Sequence, residues 1–253
     1  MLQKNLKLNL LYHELKSPLV VVETGVTSLL NRSCLYGSLS EKQEKVLIRI
    51  QRNARIAQLL VNDMLELGCA QKSIIREIPI KVSSVISEVL GQVFDLTNHN
   101  LSTKIKNVID LTKLQCILAV GGIIVSTSLE IWEKEFFLDE RKIKQIIRNL
   151  MLNALKHRKN SIEITIKEKN SSFMCSVKDD WMGITPKYHK KIFEAYFQMD
   201  DLDENNLRGH GLGLAGVLIL VEEIGGQLLL ESDVAKGAKF IVHLPMPEKL
   251  NEG

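Results

Sequence analysis

Four groups of residues have types and spacings that suit chemistry. In "LDERKIKQIIRNLMLNALKHR", Gln145, Asn149, Asn153 and Lys156 step by three and four, so they share one face of a helix. Two neutral amide oxygens on one face suit a magnesium ion already bound to phosphates, which needs only one or two protein ligands. Lys156, a turn further on, can meet phosphate as a point charge. The same face would also serve as plain solvated surface. In "VKDDWMGI", Asp179 ends an apolar strand, where a carboxylate could accept a hydrogen bond from an exocyclic amine or simply close a turn. "RGHGLGLAG" sets Gly209, Gly211 and Gly213 just before a helix. Such a turn brings backbone N–H groups close to phosphate at a helix N-terminus. The spacing is not the GxGxxG of a dinucleotide fold, and no βαβ unit surrounds it. "YHELKSPL" joins His13 to Glu14 inside a helical stretch that also contains Pro18. A proline there removes a backbone hydrogen bond and crowds the carbonyl of Glu14.

The elements that must position these residues can be read from periodicity. Residues 3–31 form one helix interrupted at Pro18, with Leu8, Leu11, Leu15, Leu19, Val22, Val26 and Leu29 as its apolar stripe. His13 falls off that stripe, on a solvent-facing flank. A second helix starts at Ser40, where Gln43 completes a capping box, and Gly68 can end it. Leu47, Ile50, Ala54, Ala57, Val61 and Met64 give it a heptad seam. A hairpin of two such helices buries too little alone, so pairing of two chains into a four-helix bundle is expected.

After Ala70 the character changes. Residues 82–101 predict a helix, and "SIEITIKEK" and "SFMCSVKD" predict strands. Asp139 is placed to cap the asparagine-bearing helix, whose apolar stripe is Ile143, Ile147, Leu150 and Ala154. Gly121-Gly122 between β-branched runs predicts a hairpin within 111–130. The tail predicts a glycine turn, a helix, and two strands around a turn near Lys236-Gly237. Helices and strands mix without regular alternation, so the fold class is α+β, a sheet with helices on one face.

Composition excludes several classes. The chain has 253 residues, 25% charged and 45% hydrophobic, the composition of an ordinary globular protein. A net charge of +3, dispersed basic residues and few aromatics give no support for a nucleic-acid partner. Cys34, Cys69, Cys116 and Cys175 form no CxxC pair, so zinc and dithiol redox chemistry lack a motif. The start has no signal-peptide pattern, and "CILAVGGIIV" is too short to span a bilayer. The expectation is a cytoplasmic chain without membrane contact of its own, either whole or the soluble part of a longer sensor.

The order of the motifs is informative. The chain resembles the sensor histidine kinases of two-component systems from about residue 5 to 246. "YHELKSPL" resembles the phosphoacceptor histidine box and "NLMLNALKH" the asparagine box. "DDWMGI" and "GHGLGL" resemble the two glycine boxes, "IFEAYFQ" the phenylalanine box, and "GAKFIVHLP" the closing strand. The resemblance implies a dimeric helical hairpin over residues 1–71 that carries the phosphoacceptor. It implies an ATP-binding α/β sandwich with a mixed sheet over 72–250, of the kind shared with gyrase and the heat-shock chaperone ATPases. His13 would be the phosphoacceptor, Glu14 its general base and Ser17 the phosphatase-related position. Asn153 would hold Mg2+ with Asn149 beside it, and Lys156 would contact phosphate. Asp179 would read the adenine amine and Gly183 would let the chain pass close to the base. Gly209, Gly211 and Gly213 would shape the lid and phosphate turn, and His157, Arg208 and Leu212 would complete the ATP site. The implied activity is ATP-dependent autophosphorylation of His13 and transfer to an aspartate of a response-regulator receiver domain. A departure from the family is Trp181, which stands where the first glycine box has glycine. It leaves open an impaired, kinase-like dimer that binds a regulator, or a different ATPase of the superfamily.

Overall fold

The computed structural model describes residues 2–68, 75–106, 108–169, 172–197 and 211–246; the side chains of residues 2–13, 33, 62–63, 65–68 and 99 lie outside that description. Two compact units are present, Met1–Gln71 and Lys72–Gly253.

The first unit is helical: α1 (Leu2–Asn31), the single-turn α2 (Ser33–Tyr36) and α3 (Glu41–Gly68). Helix α1 runs through Pro18 without a break. The capping box at the start of α3 is formed as the sequence predicts. The Ser40 N–H donates to Gln43 Oε1 at 2.9 Å, and the Gln43 N–H donates to Ser40 Oγ at 3.3 Å. Polar side chains tie α1 to α3. Gln51 Nε2 donates to Thr27 Oγ1 at 2.7 Å, and Arg55 Nε and Gln58 Nε2 donate to the two carboxylate oxygens of Glu23 at 2.7 and 3.1 Å. Of the apolar stripes, Val26 and Ala54 are buried, while Leu15, Val22, Ile50 and Met64 remain exposed.

The second unit opens with β1 (Glu77–Lys81), α4 (Val82–Thr97) and α5 (His99–Ile105). The predicted helix over 82–101 is thus two helices. Asn98 ends the first, and its side chain caps the second by accepting from the Leu101 N–H. Next come α6 (Leu111–Ala119), β2 (Ile123–Ser126), α7 (Leu129–Glu133) and β3 (Glu135–Asp139). The hairpin expected within 111–130 is corrected here. Asp110 caps a helix by accepting from the Lys113 N–H at 2.6 Å, and Leu111, Leu114 and Leu118 bury at helical spacing. Gly121 and Gly122 end that helix instead of joining two strands. Gly122 takes φ +71°, and a Cβ on it would stand 2.1 Å from the Asn160 carbonyl oxygen.

The remaining elements are α8 (Glu140–His157), β4 (Ile162–Lys169), β5 (Ser172–Asp179), α9 (Gly213–Glu223), β6 (Gln227–Ser232) and β7 (Ala238–Pro245). Strands β2-β4-β5-β7-β6 form a mixed five-stranded sheet, with β2 parallel to β4 and every other pair antiparallel. Strands β1 and β3 pair apart from it, antiparallel. Alternate residues of the sheet, including Ile162, Ile164 and Ile166 of β4 and Phe173, Cys175 and Val177 of β5, face a continuous core. Helices α4, α8 and α9 close that core with Val89, Ile143, Ile147, Leu150 and Val217. Burial raises the Cys175 thiol to about 12, so this cysteine is an inert core residue.

Candidate functional site

Helix α8 is set by its cap. Asp139 Oδ1 accepts from the N–H groups of Arg141 and Lys142 at 3.1 and 3.2 Å, and Oδ2 accepts from the Arg76 N–H at 3.0 Å. With the apolar stripe buried, the asparagine face turns toward α9. Asn149 is buried, and its Nδ2 reaches the Gly213 carbonyl oxygen at 3.5 Å, at the first residue of α9. Asn153, Lys156 and His157 follow along α8, each half-buried. The far end of α9 is held to α8 by an ion pair, Lys142 Nζ to Glu223 Oε2 at 2.6 Å.

Asp179 is in phase with Phe173, Cys175 and Val177 on β5, so its carboxylate falls on the core side at the sheet's end and is buried. Its Oδ1 accepts from the N–H groups of Trp181 at 3.1 Å and Ala238 at 3.3 Å. Burial pushes the carboxyl above its ordinary pKa, and the two N–H groups offset this only in part. The turn around it demands glycine twice. Gly183 takes φ +75°, and a Cβ there would stand 1.9 Å from the Asp233 carbonyl oxygen. Gly237 takes φ +79°, and a Cβ would stand 2.0 Å from the Asp179 carbonyl oxygen. Ser232 Oγ accepts from the Ile184 N–H and donates to the Gly237 carbonyl, both at 2.8 Å, so the β6–β7 turn is stitched to the chain after Asp179.

Asp180 does the corresponding work on the other side. Its carboxylate accepts from the N–H groups of Lys159 at 2.8 Å, Ser161 at 2.9 Å and Asn160 at 3.0 Å, and so fixes the loop between α8 and β4. Slight burial acts to raise its pKa, but these N–H groups outweigh it and hold the carboxyl below its ordinary value. The last residue of α8 and the turn after β5 meet in a ring contact. The His157 and Trp181 centroids lie 5.0 Å apart at an interplanar angle of 30°.

Of the second glycine box, Arg208 and Gly209 lie outside the described residues. Gly211 takes φ +68°, and a Cβ on it would come within 2.7 Å of the Phe197 carbonyl oxygen. Its own carbonyl accepts from the Tyr196 N–H at 2.8 Å, which joins the phenylalanine box to the glycine turn. Leu212 is buried, and Gly213 starts α9 with open space where a Cβ would be.

Asn149 is thereby brought to Gly213, and His157 to the turn that follows Asp179. His13 lies within α1 of the first unit, and its side chain lies outside the described residues. Glu14 and Ser17 of the same helix are exposed. Sequence reasoning missed Asp180, Ser232 and Ala238. Of these, only the aspartate beside Asp179 left a local signal.

Most of the sheet, the capped α8 and the glycine turn before α9 lie within a stretch that matches a known ATPase family. Residues 138–248 match the family "Histidine kinase-, DNA gyrase B-, and HSP90-like ATPase". The chain is 33% identical over 112 residues to the sensor protein SrrB of Staphylococcus aureus, a stretch covering 44% of this chain and 19% of SrrB. Its fold is similar to that of full-length ShkA, solved in complex with AMPPNP, at TM-score 0.63 and 22% identity over 95% of this chain and 45% of that one. It is also similar in fold to the histidine kinase AdeS of Acinetobacter baumannii, at TM-score 0.56 and 16% identity over 93% and 98% of the two chains. The family match covers less than half of the chain, and the likenesses to ShkA and AdeS are likenesses of fold. The chain spans about a fifth of the length of the curated relative it matches. Among the described residues no helix is long and apolar enough to cross a membrane.

Proposed function

We propose that the chain is an ATP-dependent protein-histidine kinase that phosphorylates itself on His13 and passes the phosphoryl group to an aspartate of a response-regulator receiver domain. The observation that carries this reading is the Asp179 carboxylate. It is buried at a cost to the fold, on the unit that matches an ATPase family, and both described hydrogen bonds go to one of its oxygens. A base N–H at the other oxygen would offset that cost. ShkA was solved with AMPPNP, and its fold is similar to this one.

The residues present fit a magnesium–nucleotide. Asn153, with Asn149 beside it, supplies neutral oxygens, Lys156 a cation, and Gly211 a turn with no room for a side chain. Magnesium, when bound, would supply charge neutralisation at the phosphates. His157, Arg208, Gly209, Leu212, Gly213 and Gly183 complete the proposed nucleotide contacts. In the reaction, one imidazole nitrogen of His13 attacks the γ-phosphorus. The N–P bond forms, the bond to the bridging oxygen breaks, and ADP leaves. Glu14 takes the proton from the other ring nitrogen. The receiver aspartate then attacks the phosphorus and frees the histidine. Ser17, exposed one turn after His13, is the position to orient a water that attacks the receiver's aspartyl phosphate, breaking its P–O bond and releasing inorganic phosphate. The unit over 1–71 is the dimerisation and phosphotransfer hairpin, the unit over 72–250 is catalytic, and the chain works in the cytoplasm as a homodimer.

Trp181 favours a second reading, a kinase-like dimer that binds a regulator without turning over ATP. Incubation of the chain with γ-labelled ATP and magnesium separates the two. Acid-labile label is expected on the wild type and none on His13→Gln, with ATP binding retained. Label that persists on His13→Gln, or no label on either, would sink the kinase assignment.

A further inference from the structure

We infer that the ion pair between Lys142 and Glu223 sets the position of α9 along α8, and through it the place of the glycine turn beside the asparagines. The inference rests on the proposed reading of that turn as the phosphate side of a nucleotide site. Lys142 Nζ donates to Glu223 Oε2 at 2.6 Å, and the two side chains are 9% and 22% exposed. Neither charge suits its own helix. Lys142 lies in the first turn of α8 and Glu223 is the last residue of α9, and a helix dipole favours the opposite sign at each place. Burying such a pair adds little stability, since apolar residues of similar volume commonly hold a fold as well. What the pair supplies is direction. The other inward residues of α9 include Ala215, Val217, Leu220 and Val221, whose apolar contacts are non-directional. The start of α9 is held less firmly: Leu212 before it supplies no side-chain cap, and Asn149 reaches the Gly213 carbonyl only at 3.5 Å. The lysine end is anchored, because the Lys142 N–H donates to Asp139 Oδ1 while Oδ2 accepts from the Arg76 N–H. A helix advances about 1.5 Å per residue as a rod, so fixing Glu223 also fixes Gly213 at the other end. Lys142, Asn149 and Asn153 are spaced by seven and four, so the pair and the asparagines share one face of α8. Lys142 and Glu223 are positioning residues that act through α9.

Stability and binding should then come apart when the pair is made apolar in the full chain. Lys142→Met combined with Glu223→Leu should keep the urea midpoint of the C-terminal unit while weakening binding of ATP with magnesium about tenfold. Adenosine, which would meet Asp179 on β5 and has no phosphate to place, should bind as it does to the wild type. The reversed pair, Lys142→Glu with Glu223→Lys, should recover most of the ATP affinity, since it restores the bond and puts each charge at the helix end that favours it. Glu223→Gln keeps an acceptor for Lys142 without the charge. It should give a smaller loss of ATP affinity with adenosine unchanged, and it tests the inference even if the apolar pair fails to fold. An apolar pair that binds ATP as tightly as the wild type overturns the inference and leaves the nucleotide site standing. ATP and adenosine affinities that fall together with the urea midpoint would make the pair a structural bridge, and overturn it too. A wild-type chain that binds neither ATP nor adenosine overturns the proposed nucleotide site as well.

Discussion

The two units solve burial differently. In the C-terminal unit, side chains from five strands and from α4, α8 and α9 enclose one another; Val89, Ile146, Ile164 and Val242 have no accessible surface. In the helical hairpin, Val26 and Ala54 are the buried apolar residues among those described, while Val21 is 68% exposed and Leu15 53%. Two fully buried apolar residues among those described are a small core for two long helices, and the polar bridges at Glu23 and Thr27 add little each. One unit buries its apolar residues within a single chain, and the other leaves apolar surface exposed, which the proposed second copy would cover. That division suits the proposed kinase, whose hairpin would meet partners while its nucleotide site stayed rigid.

The comparison is broken most severely by opening the complete core. Phe240 is 2% exposed and packs edge-on against Phe193 at 6.3 Å. Phe240→Ala should cost about 3–5 kcal/mol in chemical unfolding of the C-terminal unit, at any protein concentration. A charge on the hairpin's seam should act differently. Ala57 is half-buried on α3, and Ala57→Asp should cost about 3 kcal/mol of association by leaving a charge in the bundle. Sedimentation at micromolar concentration should show dimer for the wild type and monomer for the variant, with the C-terminal unit still folded. A wild-type monomer would remove the idea that a second copy completes the hairpin.

The third effect touches chemistry without touching either core. Glu14 is exposed on α1, so Glu14→Ala should leave unfolding and nucleotide binding unchanged. Labelling of His13 should slow by about 10²-fold if Glu14 takes the proton. An unchanged rate would take it out of the mechanism and leave His13 to water.

What was legible in the sequence was what is local. The box of Ser40 and Gln43, the cap at Asp139 and the stripe of Ile143, Ile147, Leu150 and Ala154 each involve residues within a turn or two, and each appears in the structure. The turn near Gly237 between β6 and β7 is equally local. Strands β1 and β3 were not legible: each has five residues, and Ile80 pairs with Phe136, far along the chain. The Gly121-Gly122 pair was misread because a hairpin and a helix end both use glycine. What separates them is a contact with Asn160, invisible in local pattern. The same holds at the site. Asp179 shows itself as the end of an apolar strand, while Ser232 and Ala238 become part of the site only through the β6–β7 turn.

The smallest effect contrasts two neighbours within the C-terminal unit. Asp179 and Asp180 are adjacent carboxylates with opposite shifts: burial raises the first, and three N–H donors, against slight burial, lower the second. A raised folded pKa means that the folded state holds its proton more tightly than the unfolded chain. Asp179 therefore lowers stability as pH climbs from the ordinary carboxylate value, about 4, through its own higher value. Asp180 contributes stability above the ordinary value, and that contribution is lost as pH falls through its lower one. At pH 7, Asp179→Asn should stabilise the unit by about 1 kcal/mol, since the amide oxygen can still accept from Trp181 and Ala238 without an ion to bury. Asp180→Asn should destabilise it, by less, because that carboxylate is largely solvated. Thermal melts of the three proteins from pH 7 down to 4 should show the Asp179→Asn advantage shrinking toward acid. A variant already less stable at pH 7 would mean that the two N–H bonds to Asp179 outweigh its burial. The carboxylate would then be a structural cap, with no surplus for a base to claim.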